Sequence, residues 1–154
     1  MEILIDNRQT RIDVDLDELR KKTERILEDL GCSPSAALSI AMVNSDEMAE
    51  LNLIYRGKQG PTNVLSFSQQ EGPDKPPQPD LLGDVVICAD VAARDADELG
   101  YSYAEMVFYL LIHGILHLSG YDHERPRDAT EMHERVESIF RRFYPSEAEA
   151  TAER

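Results

Sequence analysis

Hydrophobic positions change period several times along the chain, and the changes predict its elements. Residues 2 to 5, with Ile3, Leu4 and Ile5, read as a short strand. From Asp15 the spacing becomes helical, with Leu16, Leu19, Ile26, Leu27 and Leu30 on one face. Asp15 is placed to cap that helix with Glu18 as its capping-box partner, and Gly31 to end it. Residues 36 to 43 set Leu38, Ile40 and Met42 against Ser39, Ala41 and Val43, a pattern that predicts a strand mostly buried on both faces. Asn44 or Ser45 then caps a helix carrying Met48, Leu51, Ile54 and Tyr55, closed by Gly57. Two more strands are expected at 64 to 67 and 84 to 89. Helices follow at about 90 to 98, 103 to 119 and 128 to 143, the last opened by Asp128 with Glu131 as capping partner.

Between the third and fourth strands, Gln69 to Asp80 holds Pro73, Pro76, Pro77 and Pro79 and no apolar residue, so an irregular surface loop is expected there. A long loop inside one domain often rims a site. Residues 146 to 154 form an acidic tail expected to fray. With 154 residues the chain suits one domain, spanning 1 to 145. The order of strands and helices predicts an α+β fold with a small, mixed, about four-stranded sheet packed around a central apolar helix.

Composition narrows the class. Apolar residues at 42% and charged residues at 30% are ordinary for a folded soluble domain. The longest apolar run, Met106 to Ile112, covers seven residues, far short of the roughly 18 that a membrane span needs. The acidic N-terminus lacks the basic start of a secretory signal, so a cytoplasmic location without membrane association is expected. Cys32 and Cys88 sit in core segments outside any C-x-x-C pair, and two reduced, buried thiols are expected. A net charge of −14 argues against indiscriminate binding of polyanions, so any nucleic-acid site has to be a local exception.

Three of the four histidines fall within His113-Gly-Ile-Leu-His117-Leu-Ser-Gly120-Tyr-Asp-His123. Positions four apart share a helix face, so His113 and His117 can turn ring nitrogens toward one ion. Gly120 can supply a left-handed cap that returns the chain, bringing His123 to the same point. Three imidazoles and an open fourth position constitute a catalytic zinc arrangement, and Asp122 is a candidate partner for a ligand imidazole. Histidine on an apolar helix is commonly a hydrogen-bonded core residue, but two in one such helix would need unusual satisfaction. His133 lies on a polar, charged helix and is read as solvated surface. The stretch is also similar to the H-E-x-x-H helix of zinc proteases, except that Gly114 stands where the glutamate base would be. Glycine there costs about 1 kcal/mol relative to alanine, which suggests that close packing or site access requires a small residue.

The histidine stretch resembles the H-G-x-L-H-L-x-G-Y-D-H signature of the YbeY family of bacterial endoribonucleases. Tyr55-Arg-Gly-Lys58 with Pro61-Thr-Asn-Val-Leu-Ser-Phe67 is similar to that family's Y-R-G-K-x-x-P-T-D-V-L-S-F, and Leu82-Gly-Asp-Val-Val-Ile87 to its L-G-D-I-x-I. Asn63 departs from the usual aspartate. The resemblance implies an α+β fold and one Zn²⁺ on His113, His117 and His123. It further implies a zinc-dependent endoribonuclease acting on single-stranded ribosomal RNA, in 3′-end maturation of 16S rRNA and ribosome quality control. The assembling small ribosomal subunit and the Era GTPase are the partners it implies. Arg56 matches the family's functional arginine and is the catalytic candidate, since a guanidinium can hold a phosphate through two hydrogen bonds and stabilise developing charge. Taken alone, Arg56 would be a surface residue favoured by a helix C-terminus. Lys58 is a further substrate-binding candidate, and Arg125 and Arg127 could extend a basic track that Asp122 and Glu124 partly offset. Two rivals stay open: a zinc-dependent peptide or amide hydrolase, and a non-catalytic ribosome-assembly factor with structural zinc.

Overall fold

In the computed structural model, residues 1–68, 80–120 and 126–145 are described. The proline-rich loop and the acidic tail expected from the sequence lie outside them, as do Asp122, His123, Arg125 and the side chain of Arg127. The elements run β1 (Glu2–Asn7), α1 (Leu16–Asp29), β2 (Ala37–Val43), α2 (Ser45–Arg56), β3 (Val64–Ser68), β4 (Leu81–Cys88), α3 (Ala89–Leu99), α4 (Tyr103–Leu118) and α5 (Pro126–Phe143). The strands form one four-stranded sheet in the order β1-β2-β4-β3. β1, β2 and β4 are parallel, and β3 is the antiparallel edge beside β4. The mixed α+β architecture expected from the sequence is the one observed.

Alternation along the strands divides the sheet into two unequal faces. Ile3, Leu38, Ile40, Met42, Val85 and Ile87 point into a large core shared with residues of α1, α3, α4 and α5. Val43, Leu65, Val86 and Cys88 point the other way, into a small cluster with Met48 of α2 and Val91 of α3. The remainder of this second face stays open, so Ser39 and Ala41 are only half-buried. β2 is therefore not buried on both faces along its length: on the second face only Val43, at its end, is sealed, in the cluster with Met48 of α2.

Local sequence explains most helix limits. The Asp15 carboxylate accepts from the backbone N–H of Glu18 at 3.1 Å, and Leu19, Thr23, Ile26 and Leu27 form the buried stripe of α1. Asn44 takes the N-cap position of α2 without a side-chain bond; the backbone N–H of Ser45 is satisfied by Asp90 instead, at 2.8 Å. Gly57 ends α2 with φ of 66°. α5 begins at Pro126, earlier than expected, so Asp128 lies in the first turn and is not the cap. Proline suits a helix start because its missing N–H is one that the helix would leave unpaired there. Both cysteines are free, Cys88 fully buried and Cys32 only half so, with burial raising the Cys32 thiol pKa.

Candidate functional site

α4 carries the informative residues. Ser102 and Glu105 close a reciprocal capping box at its start, with bonds of 3.1 and 2.9 Å. The helix is buried nearly all round, through Met106, Val107, Phe108, Leu110, Leu111, Ile112, Gly114, Ile115 and Leu116. From Met106 to His117 the exceptions are Tyr109, His113 and His117, all half-buried. These three are spaced four apart and so form one line along the helix. A core helix thus turns its only wet line outward through a phenol and two imidazoles.

The rings of His113 and His117 lie 4.9 Å apart between centroids, inclined at 67°. Side chains in this relation can converge on one ion, and imidazole nitrogen is a natural donor for zinc. Among the described residues, no group of three or more His, Cys, Asp or Glu side chains is gathered for a metal. The third sequence candidate, His123, is outside those residues. Gly120, with φ of 99°, turns the chain immediately before that segment, and its N–H reaches the carbonyl of His117 at 3.1 Å.

Gly114 explains how the histidines are held. A Cβ at this position would meet Cγ1 of Val85 at 2.7 Å, Cγ2 at 3.1 Å and Oγ of Ser66 at 3.2 Å. The Ser66 hydroxyl donates to the Gly114 carbonyl at 3.0 Å. Close packing is therefore the reason for glycine in mid-helix. It lets α4 lie directly on β3 and β4, which fixes the angle at which the histidine line faces outward.

That line opens on a cavity of about 300 Å³ between α3, α4, α5 and the start of β3. Asn63, Asp95, Tyr109, His113 and His133 supply its polar lining, and Leu99, Met106, Leu110, Met132 and Val136 much of the rest. The Asn63 amide Nδ2 donates to Asp95 Oδ2 at 3.4 Å, while the Asn63 carbonyl accepts from the Cys88 N–H at 2.9 Å. Arg94 pairs with the other Asp95 oxygen at 3.7 Å. The Tyr109 hydroxyl donates to Glu137 at 3.4 Å. Burial, reinforced by the Glu137 charge, pushes the Tyr109 pKa up to about 12. His133 is exposed on α5, as expected of a surface residue, yet its ring borders the same cavity as His113.

Arg56 and Lys58 lie elsewhere. Arg56 closes α2 on the second face of the sheet, and both side chains are exposed. Among the described residues, no hydrogen bond, ion pair or ring contact joins either to His113 or His117. The neighbouring Tyr55 ring stands edge-on to Phe67 at 5.0 Å, at the border of a larger groove of about 970 Å³. This groove occupies the open part of the second face, over Leu4, Asp6, Ser39, Ala41 and Asp84. Although larger, it contains no imidazole and lies across the sheet from α4. The smaller cavity is the one bordered by imidazoles, those of His113 and His133.

Sequence reasoning missed Asp95 and Tyr109. Tyr109 could have been found, since it continues the spacing of His113 and His117 by four. Asp95 could not, because nothing along the chain announces its approach to Asn63.

Comparison with known proteins gives a consistent answer. The family model described as Endoribonuclease YbeY matches residues 4–144. The Endoribonuclease YbeY of Syntrophotalea carbinolica is 45% identical over 143 residues, covering 92% of this chain and 95% of its own. That of Geobacter sulfurreducens is 44% identical, with 84% and 85% covered. The solution structure of TM1509 from Thermotoga maritima superposes with a TM-score of 0.63 at 29% identity, over 94% of this chain and 95% of that one. With a match that runs from β1 through α5 and includes the histidine helix, the chain belongs to the YbeY endoribonuclease family.

Proposed function

We propose that this protein is a zinc-dependent endoribonuclease that cuts single-stranded ribosomal RNA during maturation of the small subunit. The observation that carries the reading is the His113–His117 pair, set one turn apart on the only wet line of a buried helix. The close packing of Gly114 on Val85 and Ser66 fixes the helix backbone that carries both rings, a rigid element of the kind a preorganised site is built on. His123 completes the donor set in this reading. A zinc ion, when bound, supplies Lewis acidity toward the scissile phosphate.

The chain's own residues do the rest. His113 and His117 orient the centre, and the apolar wall of the adjoining cavity limits water on one side of it. Arg56, exposed and permanently charged, holds a backbone phosphate of the substrate, and Lys58 adds charge beside it. In the same reading the protein takes part in 3′-end processing of 16S rRNA, associates with the assembling small subunit and with the Era GTPase, and works in the cytoplasm. Gly114 speaks against peptide hydrolysis, since the glutamate base of zinc proteases has no room there.

The test compares metal-loaded protein with its His117→Ala form on single-stranded RNA and on casein. RNA cleavage that vanishes with His117, with casein untouched, is the expected result. Cleavage of casein, or equal RNA cleavage by both forms, would sink the reading. Arg56→Ala is expected to keep zinc content and melting temperature while cleavage falls about tenfold, the value of one charge-assisted contact.

A further inference from the structure

The cavity beside His113 has a lining whose polar groups come in a definite order. Its volume of about 300 Å³ is at the lower end for a ligand site, suited to one base with its sugar and too small for a stack. The walls at Leu99, Met106, Leu110, Met132 and Val136 are apolar, which suits the faces of an unstacked base. The Tyr109 and His133 rings add further surface of the kind on which bases stack.

Asn63 and Asp95 decide which base. The Asn63 Nδ2 is a donor, and the two carboxylate oxygens of Asp95 are acceptors only. With Nδ2 at 3.4 Å from Oδ2, the edge reads donor, acceptor, acceptor. Guanine presents the complement in its O6 acceptor, N1–H donor and N2–H donor. Adenine and cytosine set a ring-nitrogen lone pair toward the carboxylate, and uracil offers one donor between two acceptors. The existing contacts of Asp95, at 3.4 Å to Asn63 and 3.7 Å to Arg94, are long and leave its lone pairs open to closer donors. Asn63 is held in place from behind, through its carbonyl and the Cys88 N–H.

We propose that this cavity is a guanine subsite, in which Asn63 and Asp95 read the base edge of a nucleotide next to the bond being cut. The assignment rests on the endoribonuclease reading for its role in cleavage, but the pocket itself can be tested without catalysis. Asn63 is decisive, because its amide supplies the donor of the edge and a carboxylate there would replace it with a third acceptor.

The experiment has two arms. In the first, uridine oligoribonucleotides carrying a single guanosine, adenosine or inosine are cut by zinc-loaded protein and the sites are mapped. Cutting beside guanosine is expected to exceed that beside adenosine by on the order of tenfold, as a bidentate base contact implies. Inosine, lacking the N2 amino group, should fall between them. Asp95→Asn and Asn63→Asp should each bring the guanosine-to-adenosine ratio toward one. Because a ratio does not depend on the amount of folded protein, a poorly folding variant still reports. In the second arm, guanosine and adenosine 5′-monophosphates are titrated while the methyl NMR signals of Leu99 and Met132 are followed. Guanosine monophosphate should shift both, and adenosine monophosphate much less. Equal cutting at guanosine and adenosine, with no selective methyl shift, overturns the subsite and leaves the nuclease standing. Selective shifts in a protein that cuts no RNA uphold the subsite and overturn the nuclease.

Discussion

α4 and α5 both carry histidine, and the two helices give it opposite surroundings. α5 is amphipathic: Met132, Val136, Ile139 and Phe140 are buried at a spacing of three and four, and His133 sits on the exposed side. α4 has no polar side, and its histidines occupy the one line that is not sealed. On α5 a histidine needs no explanation beyond solvation. On α4 the same residue is half-buried among apolar neighbours, where a polar ring needs a partner. What surrounds a histidine on its helix therefore says more about its role than its presence does. The cavity adds a qualification, since His113 and His133 face it from either side.

The largest way to break this contrast is to remove the buried stripe of α5. Phe140 is fully buried and packs edge-on against Tyr109 at 5.5 Å and Tyr101 at 5.6 Å. Phe140→Ala is expected to cost about 3–5 kcal/mol, read as a lower urea midpoint. A loss below about 1 kcal/mol would mean that α5 docks loosely and that its amphipathic pattern misleads.

The next effect tests the seal of α4. Gly114→Ala gains about 1 kcal/mol of helix propensity but forces a methyl into the Val85 side chain, and overpacking of this kind costs about 1–3 kcal/mol. A net loss is expected, since Val85 is itself fully buried and has little space to retreat. In a Val85→Ala background the penalty should shrink or reverse, which a double-mutant cycle measures directly. Independent, additive effects would contradict the contact.

A smaller effect joins the two helices. Tyr109 of α4 holds its proton up to about pH 12, whereas in the unfolded chain it releases it near 10. Between those values the folded state binds more protons, so stability is intact below pH 10 and declines as pH rises toward 12. Urea melts of the native chain and Tyr109→Phe across this range should show the variant with the shallower decline. Identical slopes would mean that the phenol is not enclosed between α4 and α5. Smallest of all, His133→Ala should shift stability by no more than about 0.5 kcal/mol and leave bound zinc unchanged, in contrast to His113→Ala. Zinc lost from the His133→Ala protein would erase the distinction drawn between the helices.

Much of this was legible in the chain because the signals are local. The capping carboxylate of Asp15 and the left-handed Gly57 are each decided within a few residues, and the structure has them as read; the stripe of α1 keeps Leu19, Ile26 and Leu27 but adds Thr23 and leaves Leu16 and Leu30 half-buried. The packing role of Gly114 could also be anticipated, though not its contact with Val85 and Ser66. Errors arose of two kinds. β2 looks buried on both faces because its period does not say how much of the second face other elements cover, whereas Asp128 looks like a cap only if the nearby Pro126 is passed over as a helix start. The cavity was beyond reach altogether: Asp95, His113 and His133 come from three helices and Asn63 from the segment before β3, and only tertiary packing makes them neighbours.

Gly114 also bears on which chemistries lie within mutational reach of this protein. A glycine codon ending in a purine becomes a glutamate codon by one nucleotide change, so a helix with the ligand-base-ligand order of zinc proteases could arise here by chance. The new carboxylate would have to begin where the Val85 methyls and the Ser66 hydroxyl already are, on the side of α4 turned toward the sheet and away from the histidine line. Such a chain would lose packing before it acquired a base. The barrier between two hydrolytic trades that share a helix is in this fold a matter of space, and lineages carrying it are kept from one of them by the back of the helix, not by the face that does the work.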